Sequence, residues 1–108
     1  MQFRIAVNET PENVVLLMKS RYNIERRSAK CCFISGNICE IYCNEDYDKV
    51  LAESEDGWLY YNTYMDFFPI DDKITVSQEI EIAENIKNFF DSCYLRSEII
   101  FESDEYTT

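Results

Sequence analysis

The stretch AKCCFISGNICEIYC, residues 29–43, restricts the fold more than any other part of the chain. Apolar and polar residues alternate on both sides of Gly36-Asn37, and a period of two marks a strand with one face on a core. Glycine at the first central position suits a type II′ turn, so the stretch predicts an antiparallel hairpin. Pairing outward from that turn sets Ile34 opposite Cys39, Cys32 opposite Ile41 and Lys30 opposite Cys43. One face then carries Cys32, Ile34, Cys39, Ile41 and Cys43, and the other Cys31, Phe33, Glu40 and Tyr42. A sheet built on such a hairpin has to be covered on one face.

The flanking segments supply the cover. QFRIAV alternates Phe3, Ile5 and Val7 and predicts a first strand. In NETPENVVLLMKSRY, Thr10 is placed to cap a helix, Pro11 fits its first position, and Val14, Leu17, Met18 and Tyr22 form its apolar stripe. Glu12 sits at the positive end of that helix, and Lys19 and Arg21 at the negative end. ITVSQEIEIAENIKNFFDSCY predicts a second helix capped by Thr75 or Ser77, with Ile80, Ala83, Ile86, Phe90 and Cys93 inward and Glu81, Glu84, Asn88 and Asp91 outward.

Between these helices, Asp56-Gly57 signals a turn, and WLYYNTYMDFF alternates over its whole length to Pro69. Leu59, Tyr61, Thr63, Met65 and Phe67 make one face of it; Trp58, Tyr60, Asn62, Tyr64, Asp66 and Phe68 make the other. DKVLAES fits either a short strand or a helical turn, and SEIIFES reads as a last strand. The order β-α-β-β-(β)-β-α-β predicts one α+β domain over residues 1–103, a mostly antiparallel sheet of four to six strands with two helices on one face. A flexible acidic tail is expected at 104–108. A chain of 108 residues with 46% hydrophobic content suffices for a single core.

Chemistry is bounded mainly by what is missing. The chain has no histidine, which excludes every nucleophile–histidine and histidine–metal arrangement. Its two glycines are both assigned to turns, so no phosphate-cradling glycine loop is expected. Asp66, Asp71 and Asp72 are the nearest approach to a hard-cation cluster, and they read as a solvated loop before a helix. The five cysteines, Cys31, Cys32, Cys39, Cys43 and Cys93, lack the spacing of a zinc knuckle. Cys31 and Cys32 would point to opposite faces of a strand, and the set reads as small core residues. A metal-dependent enzyme or thiol sensor built on these groups is therefore the third functional reading. No catalytic residue, metal site or cofactor is expected.

Charge points instead to a partner. The net charge is −11, yet residues 1–30 hold six basic groups against three acids, while residues 31–108 hold four against eighteen. Such a chain repels nucleic acid and anionic membranes over most of its surface and attracts a basic protein surface. EDYDKVLAESEDGW concentrates Glu45, Asp46, Asp48, Glu53, Glu55 and Asp56 directly before Trp58, with Tyr60 and Tyr64 close behind. Carboxylates at phosphate-like spacing address a groove whose lysines and arginines await nucleic acid, and tyrosine and tryptophan anchor interfaces. These nine residues are the predicted partner-binding site.

Small size, acidity and the absence of catalytic residues make the chain similar in character, though not in motif, to anti-CRISPR and anti-restriction proteins of phages and mobile elements. That resemblance implies a non-enzymatic inhibitor, a nucleic-acid mimic whose partner is a larger protein with a basic surface, a nuclease or CRISPR effector. An immunity protein neutralising a cognate bacterial toxin is the alternative within the same physics. Arg21, Arg26, Arg27 and Lys30 form an opposite pole that could contact nucleic acid or pair with the acidic portion of a second copy, giving a homodimer. The N-terminus has neither the basic region nor the apolar run of a secretory signal, and the odd cysteine count suits reduced thiols. A cytoplasmic protein is expected, with a host cell's cytoplasm included.

Overall fold

In a computed structural model, residues 2–26, 31–34, 36–70 and 73–101 are described. The chain forms β1 (Phe3–Val7), α1 (Pro11–Arg21), β2 (Glu25–Arg26), β3 (Cys31–Ile34), β4 (Asn37–Cys43), β5 (Thr63–Pro69), α2 (Val76–Ser92) and β6 (Ser97–Phe101). Two short 3-10 turns, Leu51–Glu53 and Gly57–Tyr60, lie between β4 and β5. All six strands join one antiparallel sheet in the order β2-β3-β4-β5-β1-β6. This is the α+β architecture that the alternating and helical patterns imply.

Both helices cover the same face. Phe3, Ile5 and Val7 of β1, Cys32 and Ile34 of β3, Cys39 and Ile41 of β4, and Met65 and Phe67 of β5 meet Val14 and Met18 of α1 and Ala83, Ile86 and Phe90 of α2 in one buried cluster. Phe3 and Phe67, directly opposite in register, stack with ring centroids 4.5 Å apart. Period-two burial along the strands thus supplies one wall of the core, and helical periodicity the other.

Local chemistry fixes the helix ends. The Thr10 hydroxyl accepts from the Asn13 amide, and Pro11 opens α1. At α2, Gln78 donates its amide to Thr75 Oγ1 (3.1 Å) while its side chain accepts from the Thr75 amide (2.9 Å), a reciprocal capping box that selects Thr75 over Ser77. The far end of α2 closes with Tyr94 N–H donating to Asp91 and Leu95 N–H to Phe90. This is a Schellman closure, and it places Tyr94 at φ +61, where glycine is usual.

Four sequence expectations are corrected. The hairpin pairs Ile34 with Asn37 and Cys32 with Cys39, with Gly36, at φ +78, directly before the second strand. The displacement moves each partner by two, which leaves the two faces of the hairpin unchanged. Cys43, at the end of β4, is exposed rather than apolar-facing. The strand after Gly57 begins only at Thr63, because 57–60 coils into a 3-10 turn, Leu59 is exposed and Tyr61 packs into a separate cluster. On α2, Ile80 is half-buried and Glu79 is fully buried. DKVLAES, the optional strand of the expected order, resolves to the 3-10 turn at Leu51–Glu53, and the additional strand, β2, lies before the hairpin where none was expected. Asp71, Asp72, Arg27, Lys30 and the tail 104–108 lie outside the described residues.

Candidate functional site

On the sheet face opposite the helices, residues 44–62 pack over Ala6 of β1. This segment leaves β4 and re-enters β5 as a closed loop, with the Asn44 amide donating to the Asn62 carbonyl (2.7 Å). Asn44 is 7% exposed and uses its whole side chain: Nδ2 donates to the carbonyls of Leu59 and Tyr61, both at 2.9 Å, and Oδ1 accepts from the Asp46 amide (2.9 Å). Asp48 Oδ1 accepts from the amides of Val50 (2.9 Å) and Leu51 (3.1 Å), which starts the first 3-10 turn. From β6's approach, Arg96 donates to the carbonyls of Ala52 and Ser54, both at 2.9 Å. Side chains thus bind the carbonyls of Leu59, Tyr61, Ala52 and Ser54, and the loop is tied at three points.

Gly57 allows the two 3-10 turns to touch. A β-carbon there would lie 2.2 Å from the Ala52 carbonyl oxygen and 2.8 Å from that of Leu51. Beneath the turns, Ala52 and Tyr61 pack on Ala6 of β1, with Trp58, Tyr60, Tyr64 and Ile100 around them. The aromatics predicted to lie beside the acids do lie there, half-buried.

Two clefts flank this loop. Glu45, Asp46, Asp48, Tyr60 and Tyr64 line the first, of about 450 Å³, together with Tyr47 and Leu59. Five of the nine predicted site residues are thus brought together, with no lysine or arginine in the lining. Glu55 and Trp58 belong to the second, of about 300 Å³, where Lys87 and Arg96 balance Asp91 and Glu98. Glu53 and Asp56 are exposed on the loop and line neither.

Beside the first cleft, the open sheet face carries a charged network. Arg4 Nε donates to Asp66 Oδ1 (2.6 Å) and Nη2 to Asp66 Oδ2 (3.3 Å) and to the Tyr42 hydroxyl (3.0 Å), while Tyr42 donates to Asp66 Oδ2 (2.5 Å). Register explains the assembly, since Arg4 faces Asp66 across β1 and β5 and Tyr42 faces Tyr64 across β4 and β5. Burial, then the Asp66 carboxylate, pushes the Tyr42 phenol up to about 12. The Arg4 guanidinium lies 4.5 Å from the Tyr64 ring centroid. Burial raises the Tyr64 phenol as well, with Arg4 opposing and the charges of Asp46 and Asp66 adding to the rise. Asp66 is therefore committed to Arg4 and Tyr42 rather than to a cation site.

Cys32 and Cys39 are buried opposite one another, and burial pushes the Cys39 thiol well up, the direction of an unreactive core cysteine. Among the described residues no group of three or more histidine, cysteine, aspartate or glutamate side chains could hold a metal ion. No helix among them is long and apolar enough to cross a membrane.

Sequence reasoning missed the exposed apolar residues of the loop. Tyr47, Val50, Leu51 and Leu59 point into solvent between the carboxylates. The signal was a Val50-Leu51 pair set among charges with no periodic partner. It also missed Asn44 and Arg96, whose partners are distant in sequence. Comparison of the chain with protein-family models, with curated proteins and with solved structures returns no match.

Proposed function

We propose that the protein is a small non-enzymatic inhibitor that occupies the basic, nucleic-acid-handling surface of an effector nuclease, in the manner of an anti-CRISPR or anti-restriction protein. The reading rests on the cleft in which Glu45, Asp46 and Asp48 stand beside Tyr60 and Tyr64 without a lysine or arginine in its lining. Carboxylates in excess of the nearby positive charge project a negative potential, which steers a lysine- and arginine-rich groove toward them and competes with nucleic acid for it. The adjoining rings add contact area at low conformational cost.

Cleavage assays with CRISPR effectors, restriction nucleases and nuclease toxins, with and without the protein, test this reading. Glu45→Lys, Asp46→Lys, Glu53→Lys and Glu55→Lys together should abolish inhibition while the melting temperature holds, because all four side chains are exposed. Asp48 is left in place, since its carboxylate organises the loop. Unchanged potency would remove this surface from consideration. Inhibition confined to a toxin would make the same surface that of an immunity protein, and turnover of any substrate would overturn the reading.

A further inference from the structure

Four of the eight large apolar side chains exposed among the described residues fall on the 44–62 loop: Val50 (79% exposed), Leu59 (47%), Tyr47 (44%) and Leu51 (43%). A surface that only imitates phosphates gains nothing from holding these groups in water. The fold does not need them either, because the loop is tied by Asn44, Asp48 and Arg96 and packs inward through Ala52 and Tyr61. Single exposed apolar residues are ordinary, but a group of them rimmed by charge is the anatomy of a protein interface. The charged residues lining the first cleft, which Tyr47 and Leu59 share, are all acidic, while Val50 and Leu51 lie beside it next to Lys49 in a loop that is acidic in balance. The ion pairs found among the described residues are Arg4–Asp66 and Lys87–Asp91, so Glu45 and Asp46 have no cationic partner there.

From this juxtaposition we infer that the 44–62 loop docks a basic amphipathic segment of a partner protein, its aliphatic side chains against Val50, Leu51 and Leu59 and an arginine in the cleft between Tyr47 and Tyr60. The inference rests on the reading above and specifies its partner. Charge complementarity selects the occupant: nucleic acid and anionic membrane are repelled, whereas a cationic segment is drawn in. Arginine suits the cleft better than lysine because its planar, weakly hydrated guanidinium pairs with carboxylates and stacks on rings together. The same loop-facing ring, Tyr64, already holds the Arg4 guanidinium against it.

The test is a nuclear magnetic resonance titration of the isotope-labelled protein with a short synthetic peptide whose leucines and arginines follow helical spacing. Controls replace its leucines by serine or its arginines by citrulline. Amide shifts should concentrate in residues 45–60, and affinity should fall about tenfold or more for Val50→Ser with Leu59→Ser, for the serine peptide and for the citrulline peptide. Binding of the leucine peptide should persist in part at about 0.5 M salt, where exposed charges are screened. If that variant pair melts early, Tyr47→Ser with Leu51→Ser makes the same measurement.

Equal binding of the serine peptide, an unaffected double variant or shifts elsewhere on the protein would overturn the inference. Concentration-dependent shifts at the loop without peptide would assign it to a second copy and overturn it as well. The two readings fail separately. A nuclease blocked equally well by the apolar double variant sinks this inference alone, whereas peptide docking without nuclease inhibition sinks the proposed function alone.

Discussion

Glu79→Gln should stabilise the protein, and by an amount that depends on pH. Glu79 lies in the first turn of α2 with no exposed surface, and its carboxylate has the Asn37 side chain as a hydrogen-bonding neighbour but is otherwise poorly satisfied among the described residues. Burial raises its pKa above the ordinary 4.5, with the nearby Asn37 side chain opposing the shift. A group raised in the folded state contributes stability that is complete below its unfolded pKa and is lost as pH rises through its folded pKa. The Glu79 contribution is therefore lost as pH climbs above about 4.5, and the glutamine variant is spared that loss. An unsatisfied buried polar group costs about 1–3 kcal/mol. The low end applies, because the Asn37 side chain partly satisfies the carboxylate and the helix dipole favours negative charge there. A gain of about 1 kcal/mol at neutral pH corresponds to roughly 4–8 °C in melting temperature. Urea denaturation followed by Trp58 fluorescence at two pH values reads it directly. The midpoints of the two proteins should separate at pH 8 and converge at acid pH. A glutamine variant that is less stable at pH 8, or a gap that is the same at both pH values, would mean that the ionised carboxylate is well satisfied in the fold, and the reasoning would fail.

Gly57→Ala should cost about 1–3 kcal/mol, as overpacking does when the obstacle is backbone, since its β-carbon would meet the Ala52 carbonyl oxygen at 2.2 Å. A lower melting temperature with altered Trp58 emission would show it; no change would mean that the turns can separate freely. Tyr94→Gly should stabilise by about 0.5–1 kcal/mol, because a left-handed backbone strains a tyrosine and the ring makes no compensating burial, being 97% exposed at φ +61. Denaturant midpoints decide that one. A phenolate absorbance titration should show Tyr42 ionising at about 12, with Tyr64 and Tyr22 also raised, and Asp66→Asn should bring Tyr42 down by removing the adjacent charge. Its raised pKa supplies stability that is complete below pH 10 and is lost as pH rises toward 12.

Much of the fold is legible because burial follows the period of each element. Phe3, Ile5 and Val7, or Cys32 and Ile34, announce their face by alternation, and Thr75 with Gln78 announces a helix start by chemistry that acts over three residues. Glu79 shows the limit of that logic. Its spacing to Ala83, Ile86 and Phe90 places it on the buried stripe, and only its residue type argued against burial. The alternation of WLYYNTYMDFF was misleading for another reason: Gly57 must pass beneath Ala52, a close approach of two backbones that no local pattern encodes. The acid-lined cleft was legible as composition, since Glu45, Asp46, Asp48, Tyr60 and Tyr64 are near one another in the chain. The arginine ties were not. Arg96 reaches Ala52 and Ser54 from 44 and 42 positions away, and Arg4 finds Asp66 only once β1 and β5 are in register.

The stitching of the 44–62 loop by Asn44, Asp48 and Arg96 has a kinetic corollary. A segment whose shape is settled before encounter loses little further freedom when it is captured, so productive collisions need no waiting for a rare conformer. Residence time would then be governed by the side chains on the loop's outer surface, while arrival would be governed by long-range attraction and by the stiffness that Arg96 lends from beneath.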